Sequence, residues 1–279
     1  MSASGNLKER ILNTRLLDGQ IALFYTGQLG FIMKWKEKYL LIDGYLTDVI
    51  DRKRGFAPAW TRNYPVPIAP EELDFVDYVF CTHAHTDHAD PETLGGLAKV
   101  NRKAKYIVSQ AIVDKLTAYG VERKDILGMP CDERQILDGD LAVTAIPAAH
   151  EELHPVAEKV YEEVGFLMEM EGLKLYHSGD CCPYPGLEER VQGCHIMILP
   201  VNGRDYYRRF EQNIIGCFDC KEAALLAKNA GAGLVIPAHI DLYPGNSLNP
   251  AIFVDTLKTV NPMQQFHLFA PGERMIYSI

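Results

Sequence analysis

Short apolar runs closed by glycine, proline or a polar pair recur along the chain, alternating with segments whose apolar residues return at helical spacing. Residues 21–26, 31–35 and 39–43 read as an opening meander of strands punctuated by Gly27 and Gly30. Residues 44–72 then hold Pro58, Pro65, Pro67 and Pro70 and read as a long connection. Unstructured stretches of that length inside a domain commonly serve function, so this one is expected to be an active-site loop. It carries Arg52, Lys53, Arg54, Trp60, Arg62 and Tyr64. After the apolar run 76–81, Asp90 and Pro91 supply an N-cap and a first helical residue for a helix to about Lys99. A strand at 105–109 and a helix at 111–118 follow. Hairpins are expected at 134–146, through Asp138 and Gly139, and at 164–177, through Glu171 and Gly172. Residues 196–200, a helix near 220–230 and residues 234–238 read as a β-α-β unit. A helix at 250–259 and strands at 265–270 and 274–278 close the chain. The pattern predicts an α/β (α+β) chain of two sheets with outer helices, forming one domain over 1–279.

Metal-competent side chains gather at the ends of these strands. Thr82-His83-Ala84-His85-Thr86-Asp87-His88 follows the run 76–81 and spells H-x-H-x-D-H. In extended backbone alternate side chains share a face, so His83 and His85 can point at one spot, while Asp87 and His88 in the following turn reach a second. Imidazoles and a carboxylate at this spacing suit zinc, manganese or iron alike. Further donors stand just past other apolar strands: His150 after 141–147, His177 and Asp180 in His177-Ser178-Gly179-Asp180, and His239 in Pro237-Ala238-His239. Open α/β architectures place their ligands at such carboxyl ends.

This order of H-x-H-x-D-H, lone His, S-G-D and P-x-H resembles the metallo-β-lactamase superfamily of metal-dependent hydrolases. Residues 175–180, 199–205 and 235–239 look most like its L-ascorbate-6-phosphate lactonase branch, although Cys181-Cys182-Pro183 follows the S-G-D and the chain is shorter than that branch would have. The resemblance implies a four-layer αββα sandwich with the site at one edge between the sheets. It assigns His83, His85 and His150 to one metal and Asp87, His88 and His239 to the other, with Asp180 bridging. It also implies that Asp43 braces the metal loop, that manganese is the metal of the branch, and that homo-oligomers are common among relatives. His154, His195 and His267 match no ligand position, and His177 is placed as a pocket or ligand-supporting residue.

The chemistry expected of such a centre is hydrolysis by a hydroxide shared between two divalent cations, zinc or manganese with iron also suitable. Asp87 and Asp180 are the expected catalytic carboxylates, orienting the nucleophile and taking up its proton. Ester, lactone, thioester and phosphodiester substrates are served equally by these ligands. Recognition is expected from residues 202–209, where Asn202, Arg204, Tyr206, Tyr207 and Arg208 form a candidate clamp for a phosphate or other anion, with Tyr243 as a further contact. A small anionic ester or lactone is the leading substrate class. A phosphodiesterase or nuclease on the same scaffold, a mononuclear iron persulfide dioxygenase and a non-catalytic metal-binding protein are the alternatives.

Composition trims this set. The net charge of −9 opposes non-specific nucleic-acid binding, and no basic arm is present. No apolar stretch is long enough for a membrane span, and the polar N-terminus lacks a signal-peptide core. Seven cysteines without a framework spacing suit a reducing cytoplasm; Cys217 and Cys220 form a C-x-x-C without a second pair and are read as packing residues.

Overall fold

The computed structural model describes residues 6–279. Two seven-stranded sheets form its centre. In spatial order the first sheet runs Arg274–Ser278, Gln20–Gly27, Gly30–Trp35, Lys38–Ile42, Tyr78–Cys81, Lys105–Ser109 and Ile126–Met129. The second runs Gln265–Phe266, Leu234–Ala238, Ile196–Pro200, Leu173–His177, Val164–Met170, Leu141–Pro147 and Arg134–Asp138. Each sheet is half antiparallel and half parallel, with the change of direction at Lys38–Ile42 in the first and at Leu173–His177 in the second. The β-α-β unit lies in the parallel half of the second sheet, and both hairpins lie in its antiparallel half.

The inner faces pack Leu23, Phe31, Leu40 and Phe80 against Val143, Phe166, Leu175 and Ile198. On the outer face of the first sheet, Phe24, Leu41, Val79 and Tyr106 meet Leu94, Leu97 and Leu116 of the helices Pro91–Val100 and Val113–Ala118. Tyr176, Met197 and Val235 do the same for the second sheet beneath Cys220–Asn229 and Pro250–Val260. This is the αββα sandwich. Strands such as Ile196–Pro200 and Leu234–Ala238 are buried along their whole length because a parallel sheet is covered on both faces, which is why they read as continuous apolar runs.

Three expectations differ in detail. Residues 44–72 are organised rather than structureless: they hold the helix Val49–Lys53 and the 3₁₀ turns Pro58–Trp60 and Pro70–Glu72. Tyr45, Val49, Leu242 and Tyr243 form a small apolar cluster that ties this excursion to the segment after His239. The last expected strand of the second sheet is only Gln265–Phe266, and an unexpected strand, Ile126–Met129, closes the far edge of the first.

Candidate metal centre

The carboxyl ends of the parallel strands meet at one edge of the sandwich. Lys38–Ile42 delivers Asp43, which sits at φ 44°, fully buried, with its carboxylate turned onto the next strand end. It accepts from the Thr82 backbone N–H at 2.8 Å and the Thr82 hydroxyl at 2.7 Å, and receives His88 Nδ1 at 2.8 Å. The Thr82 hydroxyl in turn lies 3.0 Å from His83 Nδ1. One buried carboxylate thus sets the rings of His83 and His88, leaving each Nε2 facing inward. Pro147 leads through Ala148 and Ala149 to His150, whose Nδ1 donates to the Gly216 carbonyl at 3.2 Å. On the S-G-D turn Gly179 has φ +59°, and a Cβ there would lie 2.7 Å from Thr82 Cβ. Only glycine lets this turn press against the metal loop and present Asp180.

Two groups of donor atoms result, each within 4.8 Å: His83, His85, His150 and Asp180, and beside them Asp87, His88 and His239. Asp180 Oδ2 joins them. It stands 3.3 Å from His88 Nε2, 3.6 Å from His239 Nε2, 3.7 Å from His150 Nε2 and 3.9 Å from His83 Nε2. Burial would raise the Asp180 pKa, but the neighbouring His88 and His239 charges hold it well below the usual carboxylate range. Burial similarly opposes the His88 cation, yet Asp180, Asp87 and Asp43 outweigh it and lift its pKa. His83 and His150 go the other way, chiefly through burial, with His150 lowered to about 4. Both imidazoles are therefore neutral donors at pH 7. His88 Nε2 and Asp180 Oδ1 are buried without a hydrogen-bond partner, and His83 Nε2 faces His85 Nδ1 at 3.0 Å. Unpartnered inward-facing donor atoms of this kind are what a divalent cation satisfies, with His88 Nε2 giving up its proton to the ion, so the donor set fits a metal.

Gln28 is the residue that sequence reasoning passed over. It sits at φ 61° in the turn between the first two strands, donates from Nε2 to Asp87 Oδ2 at 2.8 Å and lies 3.0 Å from His239 Nε2. An amide is not a metal-competent signal, and nothing local in Gly27-Gln28-Leu29-Gly30 marks it. The His239 backbone N–H donates to the Gln28 carbonyl, which brings the turn to the site.

Above the donors lies a cleft of about 290 Å³. Ile50, Lys53, Arg54 and Trp60 from the 44–72 excursion form one side, and Asn213, Ile214 and Ile215 the other. Tyr243 and Asn246 line it as well, and Asn202 reaches it only indirectly, by donating to Asn246 Oδ1 at 2.9 Å. The remaining clamp candidates do not line this cleft. Arg204 forms a bidentate pair with Glu222, at 2.6 and 2.5 Å. Arg208 turns inward onto Asp205 and the Ser247 carbonyl, and Tyr206 and Tyr207 point into solvent. His177 is fully buried in the sheet, with Nε2 2.9 Å from the Leu29 carbonyl. His154 and His267 pair with Glu163 and Glu273, while His195 accepts from the Lys174 N–H.

An αββα sandwich with two bridged imidazole–carboxylate clusters at the carboxyl ends of its parallel strands defines a class of metal-binding sandwich proteins. Residues 39–240 match the model of the beta-lactamase superfamily domain, and the chain belongs to that family. A metal-dependent hydrolase of Archaeoglobus fulgidus is 27% identical over 241 residues, spanning 84% of this chain and 93% of the relative. One from Caldivirga maquilingensis is 24% identical over 226 residues, spanning 79% and 89%. Among solved structures, an isothiocyanate hydrolase from Delia radicum gut bacteria aligns with a TM-score of 0.72 at 17% identity, covering 92% of this chain and all of its own. A metallo hydrolase of Ignicoccus hospitalis aligns with a TM-score of 0.68 at 20% identity, covering 93% and 99%. These two likenesses concern the fold.

Proposed function

We propose that this protein is a metal-dependent hydrolase that holds two divalent cations, zinc or manganese, and opens a small anionic ester or lactone. The position of Asp180 Oδ2, between 3.3 and 3.9 Å from imidazoles of both clusters, supports the reading, because a carboxylate oxygen there is within reach of both donor groups. His83, His85 and His150 would hold one cation and Asp87, His88 and His239 the other. Bound there, such cations would supply an activated water at neutral pH and polarisation of the scissile carbonyl. Asp87, partly exposed on the cleft side and kept ionised because His88 outweighs burial, would orient the attacking water. The Gln28 amide fixes its orientation.

L-Ascorbate 6-phosphate is the first substrate to test, on the strength of the sequence motifs. A cytoplasmic setting is part of the proposal and is supported by seven free cysteines among the described residues. No described helix is long and apolar enough to cross a membrane. The test reloads metal-free protein separately with manganese, zinc and iron, counts bound ions by mass spectrometry and follows hydrolysis of L-ascorbate 6-phosphate and of simple carboxylate-bearing esters. About two ions per chain with turnover supports the proposal. Two bound ions with no hydrolysis of any member would remove it.

A further inference from the structure

The cleft walls differ in chemistry from the floor. Asp87 and Asp180, both occupied in the metal centre, are the only carboxylates among its lining residues. Its cations are Lys53 and Arg54, at the carboxyl end of the helix Val49–Lys53. Their neighbour Arg52 is neutralised by Asp48 at 2.8 Å and by Glu92 at 2.5 Å. Lys53 and Arg54 have no such partner among the described residues, in a chain whose net charge is −9. The Arg54 guanidinium lies over the Trp60 ring, 4.7 Å from its centroid, which holds it on the cleft side. Between this cationic rim and the metal floor the wall carries an apolar part, Ile50, Trp60, Ile214 and Ile215, beside the polar Asn213, Tyr243 and Asn246, and Trp60 Nε1 is held by donating to Gln212 Oε1 at 3.2 Å.

Trp60 and the three isoleucines offer a bound substrate a patch of apolar surface to remove from water. We infer that Lys53 and Arg54 form the anion subsite of this enzyme and that the substrate is an anion with an apolar body, its charged end at the rim, its middle against Trp60 and the isoleucines, and its scissile group at the metals. This rests on the hydrolase reading and narrows its substrate class to anions that also carry apolar surface. It also moves recognition from Arg204 and Arg208, whose guanidinium groups are already paired, to two residues whose charges are open.

Binding decides the matter independently of turnover. The probe is 4-phenylbutane-1-sulfonate, because a sulfonate is a poor metal ligand, compared by calorimetry on metal-loaded protein with neutral 4-phenylbutan-1-ol and with glucose 6-phosphate. The sulfonate should bind roughly tenfold more tightly than the alcohol, as two rim charges would give, and more tightly than the sugar phosphate. The double variant Lys53→Ala, Arg54→Ala should erase the preference for charge, and Trp60→Ala should weaken both phenyl probes. Circular dichroism checks that these variants keep the fold. No sulfonate binding, a charge preference that survives the double variant, or tighter binding of glucose 6-phosphate would each overturn the inference. Charge-dependent binding without ester hydrolysis by any metal form would leave the subsite standing and remove the hydrolase reading. Ester hydrolysis without sulfonate binding would do the reverse.

Discussion

Asp43 touches no solvent, yet two residues of the metal loop take their orientation from it. Asp43→Asn keeps the shape and removes the charge that holds the His88 ring. Metal affinity should then fall by roughly 10- to 100-fold with the fold retained, measured by competition with a chromogenic chelator. Asp180→Ala should abolish hydrolysis and lower the bound-ion count, since it takes one oxygen from both clusters. Unchanged activity in that variant would sink the bridged mechanism. Away from the donor clusters, Arg204 outweighs burial to hold the Glu222 pKa below its usual value of 4.5. A depressed carboxylate pKa adds stability above the unfolded value and loses it as the pH falls through the folded one. The melting-temperature gap between wild type and Glu222→Gln should therefore be widest near neutrality and close in acid. The donors were readable because H-x-H-x-D-H is local and the others each end an apolar strand. The cleft walls were not: Arg204 meets a carboxylate 18 positions away, and no neighbouring residue announces that pairing.

At the scale of elements, turns and caps carried their own signatures. Asp90 accepts from the N–H groups of Glu92 and Thr93 at 3.0 and 3.2 Å, and its carboxylate also takes the Thr47 hydroxyl at 2.8 Å. One side chain thus caps the helix behind the metal loop and anchors the 44–72 excursion. Asp90→Ala should cost about 1–2 kcal/mol in a urea titration. Both hairpins follow their Asp-Gly and Glu-Gly turns, a local device visible in sequence. The strand Ile126–Met129 escaped because only its end residues are buried and Gly128 interrupts it. The excursion at 44–72 looked structureless because its order comes from afar: Tyr243 donates to Asp51 Oδ2 at 2.7 Å and meets the Tyr45 hydroxyl at 2.8 Å.

For the whole molecule, electrostatics should divide into a negative exterior and a positive cleft. Raising salt should then lower kcat/KM for anionic substrates more than for neutral ones, as steering by Lys53 and Arg54 is screened. The layered architecture was legible as alternating strands and helices, but the partner of the first strand was not, because pairing across the length of a chain leaves no local mark. Gln20 lies opposite Ser278, with a side-chain hydrogen bond of 2.9 Å spanning 258 positions. During synthesis, therefore, the strand Gln20–Gly27 keeps an open hydrogen-bonding edge until Arg274–Ser278 has left the ribosome. Nascent chains stalled before Arg274 should be protease-sensitive in the first sheet and prone to associate through that edge.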